Sequence, residues 1–136
     1  MSGIQGIMNF DICVYHSPCS DGLASAWIVK RISPTTDLFP YKFQSLIDDQ
    51  TITLLTGKTV LFADCAPKLI ELELLQKTCT YILVLDHYKT NKDILYSSLN
   101  TSVEFIYKEN LSGCQIVWEY FHKDTPTPWF INYIAD

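Results

Sequence analysis

Thr59-Val60-Leu61-Phe62-Ala63-Asp64 and Tyr81-Ile82-Leu83-Val84-Leu85-Asp86-His87 are two unbroken apolar runs, each closed by residues able to bind a cation. A third run, Cys13-Val14-Tyr15, closes the same way on His16. Short continuous runs rich in Val, Ile, Tyr and Phe, separated by helix-period segments, read as strands buried on both faces of a parallel sheet. In such a sheet ligands bind beyond the carboxyl ends of the strands. One acid or imidazole at a strand end is ordinary. The same event on three strands gathers oxygen and nitrogen donors at one rim, the donor set that divalent cations favour.

Working outward, Phe10–His16 is expected as the first strand, followed by a helix from Ser20, a capping residue, to about Ile32, with Ala24, Ile28 and Ile32 on one face and Pro34 as its stop. Asp37–Phe43 reads as a second strand, at an edge because of Pro40. Ile47–Leu55 is ambiguous; a short helix would put Ile47, Leu54 and Leu55 on one face. Thr59–Asp64 is the third strand, Pro67 to about Lys77 a helix burying Leu69, Leu72 and Leu75 in part, and Tyr81–Asp86 the fourth strand. Asn91–Leu99 is expected as a short helix and Val103–Tyr107 as a fifth strand. Ser112–Phe121 has Gly113, Ile116, Val117, Tyr120 and Phe121 on one helical face, the glycine allowing close packing. Thr127-Pro128 starts a last helix, Trp129–Ala135. The expected fold is α/β: a five-stranded, mainly parallel sheet with helices on both faces, in three layers.

With 136 residues, 48% of them hydrophobic and 13% aromatic, the chain is long enough for one sizeable core, so a single domain over residues 1–136 is expected. No window nears eighteen apolar residues, and Met1-Ser2-Gly3-Ile4-Gln5 lacks a signal peptide's basic and apolar segments, so a cytoplasmic protein without a membrane partner is expected. A net charge of −5 speaks against a surface that coats nucleic acid and leaves only a local basic spot to hold one. Cys13, Cys19, Cys65, Cys79 and Cys114 are odd in number and show no paired spacing, which favours reduced thiols acting as small buried hydrophobes. Cys19 and Cys65 also flank candidate ligands, which leaves a redox or soft-metal role open. Trp27, Trp118 and Trp129 are expected in the core, and His122 on the surface near a helix end.

The stretches Tyr15-His16-Ser17-Pro18-Cys19-Ser20-Asp21-Gly22, Phe62-Ala63-Asp64 and Leu85-Asp86-His87-Tyr88-Lys89-Thr90, in that order, resemble the DHH phosphoesterase superfamily. The likeness is to the branch whose first motif reads H-x-x-C-x-D-G. Ser112 to Glu119 is similar to that branch's S-G-A-x-x-A-W helix, and Tyr133-Ile134-Ala135-Asp136 to the start of its Y-I-x-D-x-D segment. The resemblance implies a hydrolase with a two-metal centre: Asp64 bridging, His16 and Asp21 on one side, His87 and Asp136 on the other, and Asp86 a ligand or the acceptor that orients His87. Mn²⁺ is the expected cofactor, with Mg²⁺ the other candidate. Asp86, His87 and Tyr88 would be the catalytic group, and Tyr88, Lys89 and Lys92 would hold phosphate. The substrate implied is a small phosphodiester, nucleotide or phosphoanhydride, extending to a short oligonucleotide. Family members usually carry a further C-terminal domain over the substrate, which implies here that substrate is held by Lys89, Lys92 and the helix start at Asp21-Gly22, by another chain (a homo-oligomer or a separate cap-domain partner), or by a part of the protein beyond Asp136.

Each residue also has a plainer reading. Asp64 could cap the helix that follows it, Asp136 could be a frayed chain end, and Lys89 and Lys92 could be solvated loop charges. Ser20 and Gly22 stand where most of the superfamily has acids, and Tyr88 where it has histidine. These departures support an alternative, a catalytically weakened module of the same fold that binds a metal, a nucleotide or a protein. A third reading is an unrelated flavodoxin-like binding module.

Overall fold

A computed structural model describes residues 9–42, 47–87, 102–108, 110–123 and 125–135. The strands are β1 (Ile12–Ser17), β2 (Asp37–Lys42), β3 (Thr59–Ala63), β4 (Tyr81–Asp86) and β5 (Val103–Tyr107). They form one sheet in the order β2-β1-β3-β4-β5, with every neighbouring pair parallel. The helices are α1 (Ser20–Ile32), α2 (Asp49–Leu55), α3 (Leu69–Leu75), α4 (Gly113–Phe121) and α5 (Trp129–Ala135). Pro40 lies in the edge strand β2, where its missing N–H removes the least pairing. The helix expected over Asn91–Leu99 lies outside the described residues.

Alternation along the strands divides the core. Cys13, Leu61, Ala63, Leu83 and Leu85 pack with Ala24 and Ile28 of α1, Ile116 and Val117 of α4, and Ile131 of α5. Ile12, Val14, Val60, Phe62, Ile82 and Val84 face the other way, against Leu55 of α2 and Leu72 and Leu75 of α3. This makes three layers. Burying each large apolar side chain contributes roughly 1.5–3 kcal/mol, so both sheet faces are strongly held. Among the described residues no helix is long and apolar enough to cross a membrane.

Three expectations are corrected by packing. Trp27 is 41% exposed and Trp129 78% exposed, because each sits beside the inward stripe of its helix and not on it. Trp27 is instead covered from the side by the Phe130 ring at 5.3 Å and the Arg31 guanidinium at 5.0 Å. Leu54 is exposed, while Leu55 alone of α2 is fully buried, so one turn of amphipathic helix carries less of the core than its sequence suggests. His122, at the end of α4, stacks on Trp118 with ring centroids 3.9 Å apart. The helix begun at Pro67 starts instead at Leu69, where the Glu71 carboxylate turns back to accept from the Lys68 N–H at 2.9 Å.

All five cysteines are free thiols, four of them buried. The sheet order reverses between β1 and β3: the chain leaves β1 for β2 on one side, then returns past β1 to build β3, β4 and β5 on the other. The carboxyl ends of β1 and β3 therefore flank the crevice where this topology places ligand sites.

Candidate metal centre at the carboxyl rim

Each donor reaches the rim by a definite local device. His16 is the penultimate residue of β1. Asp64 follows β3, its N–H still donating to the Leu85 carbonyl at 2.9 Å, and then adopts a left-handed backbone with φ 61°. That conformation costs an L-residue about 1–2 kcal/mol and is best tolerated by Asp and Asn. It turns the carboxylate into the crevice. Asp86 ends β4 and accepts the His87 N–H through Oδ1 at 2.8 Å, fixing the backbone that presents the His87 ring.

The two oxygens of Asp64 face two different imidazoles. Oδ2 lies 3.4 Å from His16 Nδ1, and Oδ1 lies 3.6 Å from His87 Nε2. The Asp64 side chain is only 2% exposed, yet its Oδ1 accepts no hydrogen bond. A buried carboxylate oxygen without a donor costs on the order of 1–3 kcal/mol, so it demands an explanation. Two sets of converging ligand atoms share this carboxylate: His16, Cys19 and Asp64, and Asp21, Asp64 and His87, with the atoms of each set within 4.8 Å of one another.

Asp21 is held differently. Its carboxylate accepts the Gly113 and Cys114 N–H groups at 2.9 and 2.8 Å, the first amides of α4. A helix N-terminus stabilises such an anion. Burial works to raise the Asp21 pKa, but the hydrogen bonds from Cys114, Asp64 and Gly113 together bring it below the usual carboxylate range. Asp64 goes the other way. Burial, then the charge and hydrogen bond of Asp21 and the charge of Asp86, push it up to about 9 against a smaller opposing effect of the Cys19 thiol. Near neutral pH a proton thus sits on Asp64, in the place where a cation would relieve the same repulsion.

Two glycines permit this closeness. A Cβ on Gly22 would overlap the carbonyl oxygen of His16, and a Cβ on Gly113 would overlap Asp64 Oδ1. Gly22 therefore cannot be replaced in this backbone by a residue with a side chain, because α1 packs directly on the end of β1.

The structure brings together His16, Asp21, Asp64 and His87, with Asp86 beside them through the His87 backbone. The grouping differs from the expected one: Asp21 joins His87, and His16 joins Cys19. Helix geometry explains this, since α1 begins after His16 and its first turn swings Asp21 across to α4. Cys65 does not approach; its thiol donates to the Val14 carbonyl at 3.5 Å. Tyr88, Lys89, Lys92 and Asp136 lie outside the described residues. Sequence reading missed the role of the Gly113 and Cys114 amides. Ser112-Gly113 before an amphipathic run did mark a helix start, but nothing local names a carboxylate 92 residues earlier as its partner.

No family model matches the chain. It is 30% identical, over 139 residues, to an uncharacterized protein of Acanthamoeba polyphaga mimivirus, an alignment covering 93% of this chain and 32% of the relative. The chain thus spans about a third of that relative's length.

Proposed function

We propose that the chain is a metal-dependent phosphohydrolase of the DHH type, acting on a small phosphodiester, nucleotide or phosphoanhydride. The observation that carries this reading is Asp64: one buried carboxylate, an oxygen toward each of two histidines, shared by two sets of three donors. A pair of divalent cations, Mn²⁺ or Mg²⁺, would be held by His16 and Asp64 on one side and by Asp21, Asp64 and His87 on the other. Cations so held would supply Lewis-acid chemistry, neutralising phosphoryl charge and activating water. The donor set fits, because Asp64 Oδ1 accepts no hydrogen bond and the crowding by Asp21 and Asp86 that raises the Asp64 pKa is what a cation would relieve. The chain's own residues then do the rest. Asp86 fixes His87 through its backbone, the α4 amides fix Asp21, and the buried wall of β3 and β4 keeps Asp64 out of bulk water. In the sequence, Tyr88, Lys89 and Lys92 follow directly and are the proposed contacts to phosphate and leaving group.

Hydrolysis of an aryl phosphodiester, a dinucleotide and pyrophosphate, each with Mn²⁺, Mg²⁺ or chelator, tests the reading. Metal-dependent turnover lost in Asp64→Asn is expected. A protein that binds Mn²⁺ yet turns over none of the three favours the second reading, a metal- or nucleotide-binding module. That reading draws on Asp21, whose two oxygens already serve the α4 amides and have less capacity left for a cation.

A further inference from the structure

We infer that Cys19 is a ligand of the cation on the His16 side of this centre, and that this position selects a borderline thiophilic ion, of the Zn²⁺ or Co²⁺ kind, over Mn²⁺ or Mg²⁺. The inference rests on the metal centre proposed above and specifies one of its two halves.

Cys19 occupies the N-cap of α1, a position favouring Ser, Thr, Asp or Asn because their side chains accept from the helix amides. Cys19 makes no such bond. Its thiol turns instead to Asp64 Oδ2, at 3.9 Å, and that same oxygen lies 3.4 Å from His16 Nδ1. Tetrahedral Zn²⁺, with bonds of about 2.0–2.1 Å to nitrogen, about 2.0–2.2 Å to oxygen and about 2.3 Å to sulfur, needs an N···O separation of about 3.4 Å and an S···O separation of about 3.6 Å. The first is met as it stands and the second within a small rotation of a partly exposed side chain. The other thiol beside a proposed ligand, Cys65, is engaged with the Val14 carbonyl, so the contact belongs to Cys19 alone among the described residues. An independent sign of a cation at this centre is the shared Asp64 carboxylate, nearly fully buried, whose other oxygen, Oδ1, faces His87 and accepts no hydrogen bond.

Sulfur decides the metal. Thiolate binds Zn²⁺ and Co²⁺ far better than Mg²⁺ or Mn²⁺, whose sites are built from oxygen and imidazole. On binding, the Sγ–H bond breaks, its proton leaves to solvent, and the sulfur electron pair forms the bond to the cation. The Asp21, Asp64 and His87 set has no thiol among its converging atoms and remains the position for a harder ion.

The test uses Co²⁺ as a spectroscopic probe on the whole chain, with calorimetric titrations of Zn²⁺ and Mn²⁺. Wild type should develop a near-ultraviolet sulfur-to-cobalt charge-transfer band. Cys19→Ser, which suits an N-cap and keeps the helix, should lose that band while the visible cobalt bands remain. Even outer-shell partners of a metal site are worth roughly 10–100-fold in affinity, so losing Cys19 should weaken Zn²⁺ by at least about tenfold and Mn²⁺ by less. Cobalt that binds without the charge-transfer band, or a band that persists in Cys19→Ser, overturns the inference and leaves the metal centre standing. Failure of Co²⁺, Zn²⁺ and Mn²⁺ alike to bind wild type overturns both.

Discussion

At the amino rim of the sheet Asp11 accepts, through Oδ2, the Thr59 N–H at 2.9 Å and the Thr59 hydroxyl at 3.1 Å, whereas at the carboxyl rim Asp64 Oδ1 accepts nothing. Both carboxylates tie β1 to β3, at opposite ends of the same two strands. Asp11 is exposed, its backbone is ordinary, and its hydrogen bonds close the gap between the strand starts. Asp64 is buried, left-handed and crowded by two other acids. Equal sheet positions thus carry opposite energetics. One rim is a staple, in which every donor of Thr59 meets an acceptor. The other keeps an uncompensated carboxylate in place by surrounding packing, the pattern expected where a ligand completes the structure.

The largest consequence concerns pH and metal. Asp64 carries its proton in the folded chain up to a pKa of about 9, against an ordinary value of 3.8. The folded state therefore binds more protons than the unfolded one between those values. Stability is fully present below the lower value and is lost as pH rises toward the upper one, at up to about 1.4 kcal/mol per pH unit. Metal-free wild type should lose melting temperature from about pH 5 to about pH 9, and Asp64→Asn should be flatter. Added divalent cation should restore wild type most at the alkaline end, since binding displaces the proton. Parallel curves for wild type and Asp64→Asn, with and without metal, would erase the distinction between the two rims.

The glycines come next in size. Gly22→Ala forces a methyl onto the backbone oxygen of His16, and backbone cannot swing aside as a side chain can. A loss of about 3 kcal/mol or more is expected in chemical denaturation, at the upper end of overpacking costs. Gly113→Ala strikes the Asp64 side chain from Oδ1 back to Cβ, of which only the carboxyl end can swing aside. Its stability loss should therefore be substantial yet smaller than that of Gly22→Ala, and its effect on cation affinity larger. Equal stability losses would mean that Asp64 is held as rigidly as the main chain.

Much of this was legible in the amino-acid sequence, and the limits have physical causes. β4 was legible to the residue because Tyr81–Asp86 is a fully buried run, and the span of α1 because Pro34 stops it, although Cys19 and not Ser20 is its N-cap. His16, Asp64 and His87 were legible as a cluster because a strand end fixes its rim. The Asp64 backbone turn was not, since positive φ leaves no mark on an ordinary Ala-Asp-Cys stretch. Nor was the grouping of the candidate donor atoms into two sets, because the α4 amides that hold Asp21 come from a distant segment. The tryptophans misled for a simpler reason: hydrophobicity alone does not say on which side of a one-residue phase shift an aromatic ring falls.

Asp11→Ala probes the staple from the other side. It removes two acceptor contacts at an exposed position and should cost about 0.5–1.5 kcal/mol in urea denaturation, near the net worth of a protein hydrogen bond. The metal-induced rise in melting temperature should be unchanged. A change in that rise as large as the one from Asp64→Asn would show that the rims are coupled through β1 and β3.

The smallest effect is expected at Asp48, a satisfied carboxylate of the same kind as Asp11. It is the N-cap of α2, accepting the Thr51 N–H at 2.8 Å and hydroxyl at 2.7 Å, and these bonds lower its pKa below 3.8. The unfolded state binds its proton more readily, so this contribution is present above 3.8 and lost as pH falls through the lower folded value. That is the reverse of Asp64, whose stabilising proton is lost as pH rises. Asp48→Ala should lower the melting temperature slightly at about pH 7 and less at about pH 3, as the wild-type cap itself becomes protonated. A deficit that grows on acidification would contradict the cap, and with it the rule that a satisfied carboxylate and an orphaned one titrate with opposite sign.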